Sequence, residues 1–262
     1  YKTEIVEIQD IYDNFGYGID RHMMSIKQFS GFMKEKWRDV KFVFIIGKGV
    51  EYPYMRTNND VLNFENSTFF VATFGYNGSD NMLFSDGNYH DPYFAIGRLA
   101  ATSADEIKSY LDKIKQFELT PFLPQTVSDK YWMKKIMHLG GGTTFFEQSS
   151  IKSTLTSLKE TIENNEFGGN VFSFFKTSSD PIQISTSDQL LNLINSGVSM
   201  ITFFGHSGTG TFDFAIENPN KFTNYGKFHI VNSLGCYSGN IHTTGSSISE
   251  SFILEKDKGA IA

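Results

Sequence analysis

Short apolar runs that stop at glycine constrain this chain more than any other feature. VKFVFIIG (Val40–Gly47), WMKKIMHLGGG (Trp132–Gly142), VSMITFFGHSG (Val198–Gly208) and FHIVNSLGCYSGN (Phe228–Asn240) each carry apolar residues almost without interruption before they break. A strand buried on both faces reads this way, and a half-solvated antiparallel strand alternates instead. Between the runs lie segments with helical spacing. Met23–Trp37 is one, and SADEIKSYLDKIKQF (Ser103–Phe117) opens on a Ser/Asp cap and sets Ile107, Leu111 and Ile114 on one face. Gln148–Asn164, STSDQLLNLINSG (Ser185–Gly197) and SISESFILEKDKG (Ser247–Gly259) are the others. YFAIGRL (Tyr93–Leu99) and GGNVFSFFKT (Gly168–Thr177) add strands, VLNFENSTFFVATFGYNGSDN (Val61–Asn81) reads as strand then turn, and Gly259–Ala262 as the opening of a last strand. The βαβα order predicts an α/β fold with largely parallel sheets flanked by helices.

With 262 residues the chain makes one large domain or two packed α/β units. Pro121 and Pro124 in LTPFLPQTVSD interrupt the pattern most strongly, which predicts subdomains 1–127 and 128–262, side by side. The first residue is Tyr rather than Met and the last segment is DKGAIA, so both subdomains are expected to be incomplete, one at its start and the other at its end.

Several function classes drop out on charge and composition. A net charge of −6 with no long basic cluster leaves no electrostatic footprint for nucleic acid or anionic lipid. No apolar stretch approaches the roughly 18 residues a membrane span needs, and YKTEIVEIQD lacks the regions of a signal peptide. A single cysteine excludes an internal disulfide framework.

In a parallel sheet, ligands bind beyond the carboxyl ends of the strands. Three glycine-rich loops leave that edge: Gly140–Thr144, Gly205–Gly210 and Gly235–Gly239. His206 and Cys236 stand at equivalent points of the last two, on consecutive strands. A free thiol with a pKa of about 8.5 is only slightly ionised at neutral pH, and a neighbouring imidazole increases the thiolate and later protonates the leaving amine. Backbone N–H groups of Ser207 and Cys236 are candidate oxyanion donors. The bland alternatives are a cysteine acting as a small buried hydrophobe and an ordinary loop histidine. Cys236, His229 and His242 form a weaker metal reading, because their spacing does not suit zinc. GGGTT (Gly140–Thr144) lacks the ending of a phosphate loop and reads as a tight turn.

ITFFGHSG and NSLGCYSGN resemble the His and Cys motifs of the gingipain family of cysteine peptidases, in the clan that also holds caspases and legumains. IYDNFGYGI, FVFIIGKG, YNGSDN, AIGRLAATSADEIKSYLDKIKQFE, GKFHIVNSLGCYSGN and ISESFILEKDKGAIA carry the likeness over nearly the whole chain. The likeness is strongest to PorU-like members, sortases of the type IX secretion system in Bacteroidetes.

The resemblance implies a caspase-like fold, with Cys236 as nucleophile and His206 as general base and acid. It places Gly142, Ser149 and Ser150 on the substrate-binding side. Gly140–Thr144 holds no carboxylate to orient His206, and Ser149 and Ser150 supply no acid for an arginine pocket. The resemblance requires no cofactor. Structural calcium at Asp86 and Asp91 is one implication, with hydrated turn carboxylates as its alternative; Asp80 reads as a turn cap. Implied partners are a protein or peptide substrate, secretion-system components and a surface glycolipid, at the outer-membrane surface or outside the cell. The rival reading is a catalytically inert module of the same fold that binds cargo or surface components.

Overall fold

The computed structural model describes residues 2–57, 69–86, 91–123, 126–180, 187–214, 216 and 218–262. The start of the strand expected from Val61, the turn between Asp86 and Asp91, Pro124, and the first two residues of the helix expected from Ser185 lie outside the described residues. The chain divides into two compact units, residues 1–104 with 241–245, and residues 105–240 with 246–262.

The first unit holds α1 (Ile8–Phe15), α2 (Met23–Lys36), β1 (Phe42–Ile46), α3 (Tyr52–Thr57) and β2 (Ala95–Leu99). β1 and β2 pair in parallel, from Phe42 opposite Ala95 to Ile46 opposite Leu99. The helical spacing seen in the sequence puts Ile26, Phe29 and Met33 of α2 into the core, against Ile11 and Tyr12 of α1 and Ile45 of β1. The Asp80 side chain does not cap the turn that follows it. It takes two 2.7 Å hydrogen bonds from Arg98 of β2, whose side chain is 1% exposed. Arg98 also donates to the Gly47 carbonyl at 2.7 Å, so a bidentate buried pair fixes the exit of β1.

The second unit begins within α4 (Ala104–Leu119) and continues through α5 (Val127–Lys130), β3 (Lys135–Gly140), α6 (Phe145–Glu163), β4 (Asn170–Phe175), α7 (Ser187–Ser196), β5 (Met200–Phe204), β6 (Ile230–Leu234) and α8 (Ile248–Leu254). Its strands form one parallel sheet in the order β4-β3-β5-β6. The chain end pairs beside β6, with Ala260 opposite His229 and Ile261 N–H donating to the His229 carbonyl at 2.9 Å. Central β3 and β5 explain the continuous apolar runs: Met137, Leu139, Ile201 and Phe203 are all buried, and Ile194 and Phe252 pack into the same core.

Two features depart from the pattern. The units part after the first residue of α4, whereas proline punctuation suggests Val127, because the rest of α4 belongs to the second unit well before the chain reaches those prolines. Within α4 the buried residue is Lys113, while Leu111 of the expected apolar face is 48% exposed. Lys113 Nζ donates to the carbonyls of Ile253, Lys258 and Ala260, which are left over where α8 ends and the last segment turns back. Burial pushes the Lys113 ammonium down to about 8.

Candidate functional site

Sheet order decides where chemistry can sit. The strand that enters first, β3, lies between β4 and β5, so successive connections leave in opposite directions at the β3–β5 boundary. That reversal opens a crevice at the strands' carboxyl ends. Gly140–Thr144 leaves β3 on one side of it, and the Gly205–Gly210 loop leaves β5 on the other. Register then brings in the thiol: Phe204 pairs with Leu234, so His206 and Cys236 each stand two residues past a matched pair. Both are exposed.

A small hairpin holds His206. Ser207 faces Phe212 across an antiparallel bridge, with Asp213 N–H donating to the His206 carbonyl and Gly208 N–H to the Thr211 carbonyl, both at 2.9 Å. Ser207 Oγ donates to the Cys236 carbonyl at 2.6 Å and thus laces the histidine loop to the cysteine loop. That lacing accounts for Gly235, because a Cβ there would fall 2.3 Å from Ser207 Oγ. Among the described residues neither the Ser207 N–H nor the Cys236 N–H has an acceptor.

The missing carboxylate comes from three residues beyond the loop in which it was sought. Glu147 Oε2 lies 3.5 Å from His206 Nε2. Thr144 is the N-cap of α6 and Glu147 its N3 residue, and the two form a reciprocal capping box. Glu147 Oε2 accepts from Thr143 N–H and Thr143 Oγ1 at 3.0 Å and from Thr144 N–H at 3.1 Å. These donors, with the imidazole as a smaller contribution, hold its carboxyl down at about 2. The signal was legible as Thr-x-x-Glu ahead of a helix, had the helix been started at Phe145 rather than Gln148. With the Glu147 carboxylate beside Nε2, the tautomer protonated at Nε2 is the favoured one, and it leaves Nδ1 as the nitrogen that takes a proton.

The remaining candidates fall as follows. Gly142, at φ +109°, is buried and gives its N–H to Asp213 Oδ2 at 2.8 Å. Ser149 and Ser150 are exposed on α6, with no acid in either position. Asp86 and Asp91 are exposed. Among the described residues no group of three or more His, Cys, Asp and Glu side chains can hold a metal ion. His229 is fully buried in the second unit, where burial and Lys113 push it down to about 3, and it touches Asn224, Phe222 and Phe252. His242 belongs to the first unit, 3.9 Å from Asp80. Cys236, His229 and His242 are among the described residues for which no such group is found.

The family model for peptidase family C25 matches residues 1–262. Among solved structures, the fold is similar to the Arg-specific cysteine proteinase gingipain R (TM-score 0.63, 13% identity, covering 90% of this chain and 51% of that one). It is also similar to the complex of Porphyromonas gingivalis RgpB pro- and mature domains (0.62, 14%, 90% and 52%). A structure described as a protease gives 0.65 at 15% identity, covering 91% and 48%. No curated protein matches. The chain spans about half the length of the structures it matches, and at these identities the likeness speaks for the fold alone. Matched from end to end by the family's model and sharing the fold of its solved members, the chain belongs to peptidase family C25, the gingipain family.

Proposed function

We propose that this chain carries the active site of a cysteine peptidase acting on protein chains through a thioester intermediate. The observation that carries the reading is the convergence at one sheet edge of an exposed thiol, an imidazole and a carboxylate held ionised, at Cys236, His206 and Glu147. His206 Nδ1 takes the Cys236 proton, and the thiolate attacks the scissile carbonyl carbon. The carbonyl electrons move to oxygen, where the Ser207 and Cys236 N–H groups stabilise the charge. Collapse breaks the C–N bond, and the departing amine takes the proton from His206. Water or an amine then attacks the thioester, loses a proton to His206 and releases the thiolate. Glu147 orients the ring and stabilises the imidazolium that forms twice per cycle.

Exposure of the sulfur argues against the inert binding module, whose thiol would sit under aromatic rings. The absence of acid at Ser149 and Ser150, and the exposed Phe145 and Phe146 beside Glu147, favour apolar over arginine side chains in the substrate. The sequence motifs extend the reading to exported proteins of type IX secretion, with hydrolysis or transfer to a surface glycolipid as the two fates of the thioester. Among the described residues no helix is long and apolar enough to cross a membrane.

Iodoacetamide alkylation of Cys236 against pH, in the parent and in His206→Ala, tests the reading. The expected result is a reactive thiolate below about pH 8 that the substitution abolishes. Slow and equal alkylation in both proteins overturns it in favour of the binding module.

A further inference from the structure

Beneath the two loops lies a buried ion pair that the proposed chemistry does not use. Lys176, one residue past β4, and Asp213, at the foot of the His206 hairpin, have side chains 0% and 4% exposed, with Lys176 Nζ 3.7 Å from Asp213 Oδ2. Two charges withdrawn from water this completely carry a desolvation cost that their attraction offsets only when the surroundings hold them in place.

Asp213 touches both walls of the crevice. Its N–H donates to the His206 carbonyl at 2.9 Å, and its Oδ2 accepts from Gly142 N–H at 2.8 Å. Lys176 N–H in turn donates to the Gly140 carbonyl at 2.8 Å. Three glycines are shaped around the carboxylate. A Cβ on Gly141 would lie 2.1 Å from Asp213 Oδ1, and one on Gly205 2.8 Å from the same oxygen, while Gly142 adopts φ +109° and gives it its N–H. The loop that leads to Thr143, Thr144 and Glu147, and the loop that carries His206, are thus built onto one carboxylate.

We propose that Asp213, held by Lys176, is the positioning residue that sets Glu147 and His206 at their working separation. Asp213 touches neither the imidazole nor the thiol; it acts through the backbone on either side. The proposal rests on the peptidase reading for its consequence in catalysis, but the positioning itself is measurable without substrate.

The test uses the full chain labelled with 15N at histidine and reads the His206 imidazole nitrogens at one fixed pH. In the parent, Glu147→Gln shifts the His206 Nε2 signal. In Asp213→Ala that response to Glu147→Gln is expected to be lost, and Cys236 alkylation by iodoacetamide to slow toward the His206→Ala rate. Asp213→Asn combined with Lys176→Met removes both charges and keeps an amide oxygen for Gly142 N–H, so it is expected to restore the response.

A residue that merely stabilises the fold would lower the melting temperature and leave the response intact well below it; that result overturns the proposal, as does a parent in which Glu147→Gln has no effect on His206. Should Asp213→Ala fail to fold, Gly141→Ala, whose added Cβ has only Asp213 side-chain atoms as its three nearest neighbours, displaces the carboxylate by sterics and is read in the same way. If His206→Ala leaves alkylation unchanged while the imidazole response still depends on Asp213, the peptidase reading falls and the positioning role stands. The reverse pattern removes the positioning role alone.

Discussion

Gly235→Ala probes the lacing between the histidine and cysteine loops. The added methyl would sit 2.3 Å from Ser207 Oγ, 2.7 Å from Phe203 Cε1 and 3.1 Å from Ser207 Cβ. The first contact is about 1 Å inside ordinary van der Waals distance, and Phe203 is fully buried and cannot swing away. Ser207 must turn out and give up its 2.6 Å hydrogen bond to the Cys236 carbonyl. Overpacking of this kind costs about 1–3 kcal/mol, and the lost exposed hydrogen bond adds about 0.5–1 kcal/mol. The expected total of about 2–4 kcal/mol corresponds to a fall in melting temperature of roughly 5–15 °C for a chain of this size.

The assay is a double-mutant cycle by thermal unfolding, with Cys236 alkylation measured alongside. Ser207→Ala removes the hydroxyl that meets the methyl, so Gly235→Ala should cost less in that background by at least about 1 kcal/mol. The remaining Phe203 contact keeps the rescue partial. Additive effects of the two substitutions, or a Gly235→Ala protein with unchanged melting and alkylation, would refute the claim that the hydroxyl is what Gly235 makes room for.

Glu147→Gln is expected to lower turnover several-fold on any cleavable peptide with little change in KM, because Glu147 acts on the imidazolium that serves thiolate formation and amine departure and is given no contact with the substrate. The Glu147 carboxyl is held at about 2, below its unfolded value, so its contribution to folding is present above the unfolded value and is lost only as pH falls through about 2. An inflection in the parent's alkylation profile that lies between pH 3 and 5 and vanishes in Glu147→Gln would contradict this. Lys113 works in the opposite range. Its folded value of about 8 lies below that of an unfolded lysine, so above pH 8 the unfolded chain binds the proton that the folded chain has released, and stability rises with pH. Urea midpoints for the parent and Lys113→Met should therefore diverge in the parent's favour by about 2–3 kcal/mol between pH 8 and 10.5; parallel pH dependences would show that burial does not depress Lys113.

The parallel sheet and the places of His206 and Cys236 were legible in the sequence for one reason. Strands buried on both faces leave continuous apolar runs, and the residue at which a run breaks marks the sheet edge. What stayed hidden depends on pairings that no run records. Asp213 acquires its meaning from Gly142, 71 positions away, and neither residue is unusual where it stands in the chain. Lys113 reads as one more charge on the solvent side of an amphipathic helix, and only the stranded carbonyls of Ile253, Lys258 and Ala260 explain why it points inward. Asp80 resembles any turn carboxylate until Arg98, 18 positions on, closes over it. Glu147 is the intermediate case, since the capping box that contains it is local and its second partner, His206, is not.

That double employment ties two traits to one side chain. A glutamate that both starts a helix and faces an imidazole cannot drift without altering folding yield and turnover together, and the two effects will be confounded in any survey that scores variants by abundance. Aspartate, one methylene shorter, would keep the charge and fall short of at least one partner. A search for variants with altered turnover and intact expression should therefore leave position 147 untouched and work on the loops around it.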